Sequence, residues 1–462
     1  MWFMSSDGLR HAEEKMRAAG QPEAAIRAFA RGYERLVAGE SAFIRSQDLE
    51  AAQDVPTLGE LPQADPAEAL RDVVMIKLNG GLATTMGLRH PKSLVQAKEG
   101  KTFLDIIVGQ TLNLRRNYGI RLPLLLMNSQ ATRADTEQAL ARHPELDVGL
   151  PITFMQSIVP KLDAETLAPA SWPPDQAVEW APPGHGDVYA ALQRSGILDR
   201  LLEEGFRFAM ISNIDNLGSW VQPDIAAHVQ RERIPFLMEV VEGTESERKG
   251  GHLARRRSDG QLILREVAQT APEDEASFRD YRRWRYYNTN SLWLDLRVLS
   301  EVLSASDGVM DLPLIVNRKT VDPRDPASTP VIQLESAMGA AIGSFPGAQL
   351  LCVPRSRFVP VKTTNDLLVL RSDVYTLTDQ MVVQPVPERD GKLPFVELDK
   401  RVYRVLEQFE RRFPQGPPSL RQAERLEVDG DVTFGAGVVV RGAVHLQAAE
   451  PMRIDDRAVL EG

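Results

Sequence analysis

From residue 71 to about 300 the chain predicts an α/β fold, a mainly parallel sheet with helices on both faces. Short apolar runs alternate there with segments of helical period, as strands joined by crossover helices do. The run Val73-Val74-Met75-Ile76-Lys77-Leu78 is apolar except at Lys77, the pattern of a strand buried on both faces. It stops at Asn79-Gly80-Gly81, and polar residues recur where later runs stop: Asn128, Gln156, Asn213 and Asp215. In open α/β sheets ligands lie beyond the carboxyl ends of the strands, so a site is expected at these residues.

Residues 1–70 read as a helical segment and linker. LRHAEEKMRAAG and PEAAIRAFARGYERLVAGE are helices; Pro22 suits a helix start, and Ala25, Ile26, Phe29, Tyr33 and Leu36 recur on one face. Pro56, Pro62 and Pro66 mark the linker. Residues 71–382 form the main domain. Thr102, with Asp105 three residues on, caps a helix through Leu114. LPLLLMNS (122–129), ITFMQS (152–157), FRFAMISNIDN (206–216) and IPFLMEVVE (234–242) are further strands, and a helix follows Thr132. Asp187 is placed to cap a helix behind Gly184-His185-Gly186. Residues 243–290 read as an antiparallel insertion, with LILREV as a strand and RYYNTNSLWLDL returning to the sheet. The last unit is 383–462. LDKRVYRVLEQFERRF (398–413) reads as one amphipathic helix, and LEVDGDVTFGAGVVVRGAVHLQ (426–447) as a short left-handed β-helix in which His445 is structural.

With 462 residues the chain is long for a single core, and 43% apolar residues suffice for a sizeable interior. The 54 Lys and Arg against 64 Asp and Glu give −10, so a general nucleic-acid surface is not expected and any anion site must be local. A lone cysteine, Cys352, rules out an internal disulfide framework and fits a reducing compartment. No run approaches a membrane span and no leader pattern is seen, so the expectation is a soluble cytoplasmic protein.

Adjacent glycines after a buried strand leave amide N–H groups unshielded, and a polyanion such as a triphosphate suits that nest. Lys92 follows as a point charge. The spacing is neither a Walker loop nor a dinucleotide fingerprint: Gly87 is followed by Leu88, and Lys92 comes after Pro91. Taken alone, the glycines also suit a tight turn with a solvated lysine. Asp215, beside Asn213 and Asn216, can hold Mg2+ with substrate phosphates or merely end a strand in an Asx turn. The Gln156 amide offers a donor and an acceptor to a pyrimidine, or is an ordinary strand end.

The stretch KLNGGLATTMGLRHPKS closely resembles the signature of the eukaryotic-type UTP–glucose-1-phosphate uridylyltransferases, K-L-N-G-G-L-G-T-x-M-G with P-K-S behind it. Ala83 replaces the third glycine, and strain there would weaken nucleotide affinity. F-x-Q-S, P-P-G-H-G-D, S-N-I-D-N, K-G-G, N-T-N and V-K-T-T-x-D-L follow in the family's order over roughly residues 70–450. The resemblance implies a Rossmann-like sheet of the nucleotide-sugar transferase type. It assigns Leu78, Asn79, Gly80, Gly81, Gln156, Gly184, Asn213 and Asp215 to the nucleotide, with Gln156 on the uracil and Asp215 on Mg2+. His185, Asn290, Glu335 and Lys249 go to the sugar phosphate, and Lys92 and Lys362 to catalysis at the triphosphate. Homo-oligomers through the C-terminal unit are a further implication.

The reaction expected is UTP plus α-D-glucose 1-phosphate giving UDP-glucose and diphosphate, reversibly, by direct in-line attack. Because the nucleophile is already anionic, no general base is required, and positioning with charge neutralisation carries catalysis. Two rivals stand beside it. One is a pyrophosphorylase for other UDP-sugars or N-acetylhexosamine 1-phosphate; the other is a non-catalytic sugar-nucleotide sensor, which would not need Lys92, Asp215 and Lys362 together.

Overall fold

In the computed structural model the described residues are all but Met1, 40–42, 83–85, 89 and 249; for residues 2–6 and Ser246 only the backbone is described. Ala83, whose effect on nucleotide affinity the sequence raised, and Lys249 therefore lie outside the described residues.

Two N-terminal helices, α1 (Trp2–Ala18) and α2 (Glu23–Val37), precede the sheet. Pro22 is the N-cap of α2, and Ala25, Ile26, Phe29 and Tyr33 are buried against Val159, Leu162, Ile332 and Leu334. Among the described residues the central sheet has ten strands: β1 (Leu49–Ala51), β2 (Val73–Asn79), β3 (Leu124–Asn128), β4 (Thr153–Met155), β5 (Phe208–Asn213), β6 (Phe236–Glu242), β7 (His252–Arg256), β8 (Leu262–Arg265), β9 (Tyr286–Asp295) and β10 (Gln349–Cys352). Strands β4, β3, β2 and β5 are paired in parallel in that order. Next to β5 comes β9, antiparallel, and then β6 and β10, which run parallel to each other. The sheet is thus mixed but mainly parallel, with β9 reversed in its core and the antiparallel β7–β8 hairpin and β1 at one edge.

Every residue of β2 is buried. Its pleat divides them between two layers: Val73 and Met75 join one core with helix α3 (Phe103–Tyr118), while Val74, Ile76 and Leu78 join the other with helix α4 (Val188–Arg194). Thr102 and Asp105 form the expected capping box on α3, each side chain accepting the other's backbone N–H, and Gly119 closes the helix at φ 64°. Lys77, the interruption in the apolar run, is fully buried. Its Nζ donates to Ser212 Oγ at 2.7 Å and to the Ser219 carbonyl, and burial pushes it down to about 7.

The C-terminal part departs from expectation. In place of one helix over 398–413 there are two short ones, Lys400–Tyr403 and Leu406–Arg412, because Val405 is extended and Asp399 caps only the first by accepting from Arg401 N. The Tyr403 hydroxyl donates to the Val432 carbonyl, tying the break to the strands beyond. Those strands form two parallel sheets, one pairing Val439 with Val459 and the other Val432 with Met452. His445 lies on the surface of this unit with Nε2 2.7 Å from Asp429. No helix among the described residues is long and apolar enough to cross a membrane.

Candidate active site

The carboxyl ends of β2, β3, β4 and β5 lie side by side, so Asn79, Asn128, Gln156 and Asn213 come together at one edge. The Gln156 amide lies across the glycine turn: a Cβ on Gly80 would stand 2.7 Å from Gln156 Nε2. Asn79 is fully buried, and its Nδ2 donates to Asn128 Oδ1 at 2.8 Å and Thr136 Oγ1 at 2.9 Å. Its side chain braces the strand ends, which leaves the backbone of the turn to face a ligand. The Leu78 side chain is likewise in the core.

Beyond β5 the chain turns through Asp215, whose Oδ2 accepts from Lys92 Nζ at 2.6 Å; both side chains are only 15% exposed. Lys92 is held there by its own segment, its N–H reaching the Gly81 carbonyl at 3.3 Å. The Lys362 segment arrives from the other side. Val361 N donates to the Asp215 carbonyl at 3.3 Å, and the Asn216 side chain accepts from Val359 N at 2.9 Å and donates to the Arg357 carbonyl at 3.1 Å. Lys362 itself precedes helix α5 (Thr364–Arg371), where Asp366 accepts both Lys362 N and Thr363 N at 2.8 Å. Lys92 and the backbone segment that carries Lys362, distant in sequence, thus meet at Asp215 by the ends of β2 and β5.

On the opposite side of the turn, Gly184 adopts φ 83°, and a Cβ there would stand 2.3 Å from the Ser336 carbonyl. Only glycine fits that backbone approach. His185 Nδ1 accepts from Met338 N at 3.0 Å, which leaves the proton on Nε2, and burial pushes the ring down to about 4. The imidazole is a neutral donor at physiological pH. Asp187 is the N-cap residue of α4 as the sequence suggested, but its side chain makes no cap bond: Arg194 claims both its oxygens at 3.0 and 2.9 Å, and Ser157 N donates to it at 2.6 Å. Asn290 sits on a bulge. β6 pairs Glu239 with Ser291 and Val240 with Asn288, so Thr289 and Asn290 are extruded, Asn290 at φ 54° with its N–H on Asn288 Oδ1 at 2.7 Å. Glu335 ends its strand with its carboxylate 3.6 Å from Lys319, and the turn that follows, Met338–Ser344, is a 3-10 helix whose N-cap is Ala337.

Sequence reasoning passed over Glu266. Its carboxylate rests on Gly251, where a Cβ would stand 2.6–2.7 Å from both oxygens; burial raises its pKa and the charge of Lys362 opposes that rise. Asn288, the residue paired to Asn290, donates its N–H to the Gly251 carbonyl at 3.0 Å, so Glu266 and the bulge share one wall. A carboxylate just past the apolar LILR was the available signal. Glu239 and Arg357 were passed over too. They form a buried two-point pair at 2.7 Å, joined by Trp293 Nε1 at 2.9 Å, behind the Asp215 segment.

No group of three or more His, Cys, Asp or Glu among the described residues could hold a metal ion. The single Asp215 carboxylate fits what Mg2+ requires, since that ion commonly takes one or two carboxylates and fills its remaining positions with water and substrate phosphates.

The family model for UTP–glucose-1-phosphate uridylyltransferase matches residues 26–441. A UTP–glucose-1-phosphate uridylyltransferase of Hordeum vulgare is 38% identical, over 98% of this chain and 95% of its own. A variant of the UDP-glucose pyrophosphorylase of Leishmania major, solved in complex with UDP-glucose, has a TM-score of 0.93 at 42% identity, covering 99% of this chain and 98% of its own. A UDP-glucose phosphorylase structure from Trypanosoma brucei has a TM-score of 0.91 at 40% identity, covering 99% and 100%.

Proposed function

Given that the chain belongs to the UTP–glucose-1-phosphate uridylyltransferase family, we propose a division of labour within its site for the transfer that family carries out. The enzyme converts UTP and glucose 1-phosphate to UDP-glucose and diphosphate. A phosphate oxygen of the sugar attacks the α-phosphorus of UTP, the bond to the bridging oxygen breaks, and diphosphate leaves with that electron pair. Lys92 and Lys362 approach the phosphate chain from separate segments and neutralise charge as it moves to the leaving group. Asp215 would hold Mg2+, which supplies further charge neutralisation at the phosphates.

Gln156 pairs with the uracil over the side-chain-free Gly80, while Gly81, Gly184 and Asn213 line the nucleotide. His185 donates its Nε2 proton to the glucose phosphate, an assignment supported by the fixed tautomer. Asn290 and Glu266 bind hexose hydroxyls. Glu335 and Lys249 stay on the sugar side of this reading, Glu335 supported by its place next to the Ser336 that touches Gly184. The observation that carries the whole is the 2.6 Å Lys92–Asp215 contact with the Lys362 segment bonded to the same aspartate.

We extend the reading to the whole chain. Residues 1–70, 71–382 and 383–462 act as helical segment, catalytic domain and C-terminal unit. The last is a short left-handed β-helix, supported by the parallel stacking of Val439 on Val459, and it serves as a homo-oligomer contact. The protein works in the cytoplasm.

The test is diphosphate release from UTP with Mg2+, supplying glucose, galactose and N-acetylglucosamine 1-phosphates in parallel. Release with glucose 1-phosphate is expected. Release with another sugar alone would move the substrate, and none with any sugar, despite UDP-glucose binding, would favour a sensor.

A further inference from the structure

The structure links the two site lysines a second time, far from Asp215. Lys92 opens a short turn, Lys92–Leu94, that runs directly into a hairpin of Gln96–Lys98 and Lys101–Thr102. Lys362 stands before the N-terminus of α5, whose other end abuts that hairpin. Lys98 Nζ donates to the last carbonyls of the helix, Arg371 at 3.2 Å and Ser372. The Arg371 guanidinium answers by donating Nε and Nη2 to the Gln96 carbonyl at 3.1 and 2.8 Å. A closed circuit results: Lys92, Asp215, Val361, Lys362, α5, Lys98, and back along the hairpin to Lys92.

Lys98 is buried at 6% exposure, and among the described residues no acidic side chain is hydrogen-bonded to it. What it holds is the negative end of a helix dipole, the position where a cation is stabilising. Burial pushes it down to about 8, while Glu99 and Asp373 act in the opposite direction. Beside it lies a cavity of about 690 Å³ that Arg371, Glu410 and Asp373 also line.

We infer that Lys98 is a positioning residue: by gripping the C-terminal end of α5 it fixes the spacing at which Lys92 and Lys362 flank the phosphate chain. The inference rests on the proposed roles of those two lysines. α5 spans only eight residues, so a tilt at its C-terminus is passed undamped to Lys362. Misplacement of a catalytic group by about an ångström can cost up to roughly a hundred-fold in rate.

A double-mutant cycle tests it, measured as kcat at saturating substrates with thermal melts to establish folding. Lys98→Met is expected to lower kcat about ten-fold in the otherwise native enzyme but less than about two-fold when Lys362 is already alanine, since its effect passes through Lys362. Lys98→Arg, a cation for which the neighbouring cavity has room, is expected to restore most of kcat. Native kcat in Lys98→Met, or the same fold-loss in both backgrounds, would overturn the inference. Should Lys98→Met fail to fold, the arginine variant decides: a folded Lys98→Arg enzyme as slow as Lys362→Ala overturns it, and one near the native rate supports it. If Lys362→Ala alone turns over at the native rate, it is the assignment of Lys362 that fails.

Discussion

Lys362 carries the sharpest expectation at the scale of single residues. It is bonded through its own N–H to Asp366, and its neighbour Val361 is bonded to Asp215, so its backbone is held on both sides. Lys362→Ala should lower turnover ten-fold or more, the usual cost of removing a group that stabilises developing charge, while UDP-glucose still binds. Steady-state kinetics with binding calorimetry measures both; native turnover would remove Lys362 from the mechanism. Lys92, Asp215 and Gln156 were candidates from strand ends and the glycine loop, and the family resemblance gave them their roles. Glu266 was missed because its significance lies in resting against Gly251 across a hairpin, a contact that no linear spacing displays.

At the scale of elements, two glycines near the site should behave differently. Gly80 faces a flexible side chain: a methyl there displaces the end of Gln156 and leaves the fold alone. Gly80→Ala is therefore expected to raise the KM for UTP about ten-fold with little change in melting temperature, the cost of about one misplaced hydrogen-bonding amide. Gly184 faces backbone at φ 83°, so Gly184→Ala should cost about 3 kcal/mol or more of stability, seen as a lowered melting temperature. Equal effects of the two on stability would show that the turn, not its occupant, determines the first. The bulge carrying Asn290 was not legible in the sequence either. It arises from a register shift against β6, and register is a property of two strands.

For the whole molecule, acid stability should be limited by buried imidazoles. His252 is stacked on Trp284 with ring centroids 4.7 Å apart, and neither ring nitrogen has a hydrogen-bond partner among the described residues. Burial pushes the ring down to about 3. The unfolded chain takes up a proton near pH 6.5 that the folded chain refuses until about 3, so stability is present above pH 6.5 and lost as pH falls through that window. At pH 5 this one ring should cost about 2 kcal/mol. His252→Phe keeps an aromatic in the stack without a titrating group. Its melting temperature should fall less between pH 7 and pH 5 than that of the native protein, and an equal fall would place the acid sensitivity elsewhere, with His185 the next candidate.

The sequence by itself determined the alternation of strands and helices, the positions of the strand ends and the identity of the charged residues found there, because hydrophobic period, glycine pairs and capping residues act over a few neighbours. It misjudged the helix over 398–413, where amphipathic spacing was intact but a tertiary bond from Tyr403 to Val432 accompanies the break. Only the tertiary structure decided that Lys92 meets Asp215, that Val361 binds the same aspartate, that β9 runs against its neighbours, and that Lys98 grips the helix behind Lys362. Those contacts join residues tens to hundreds of positions apart, and local propensity fixes no geometry over such separations. They follow from chain topology and from the need of each buried charge or carbonyl for a partner.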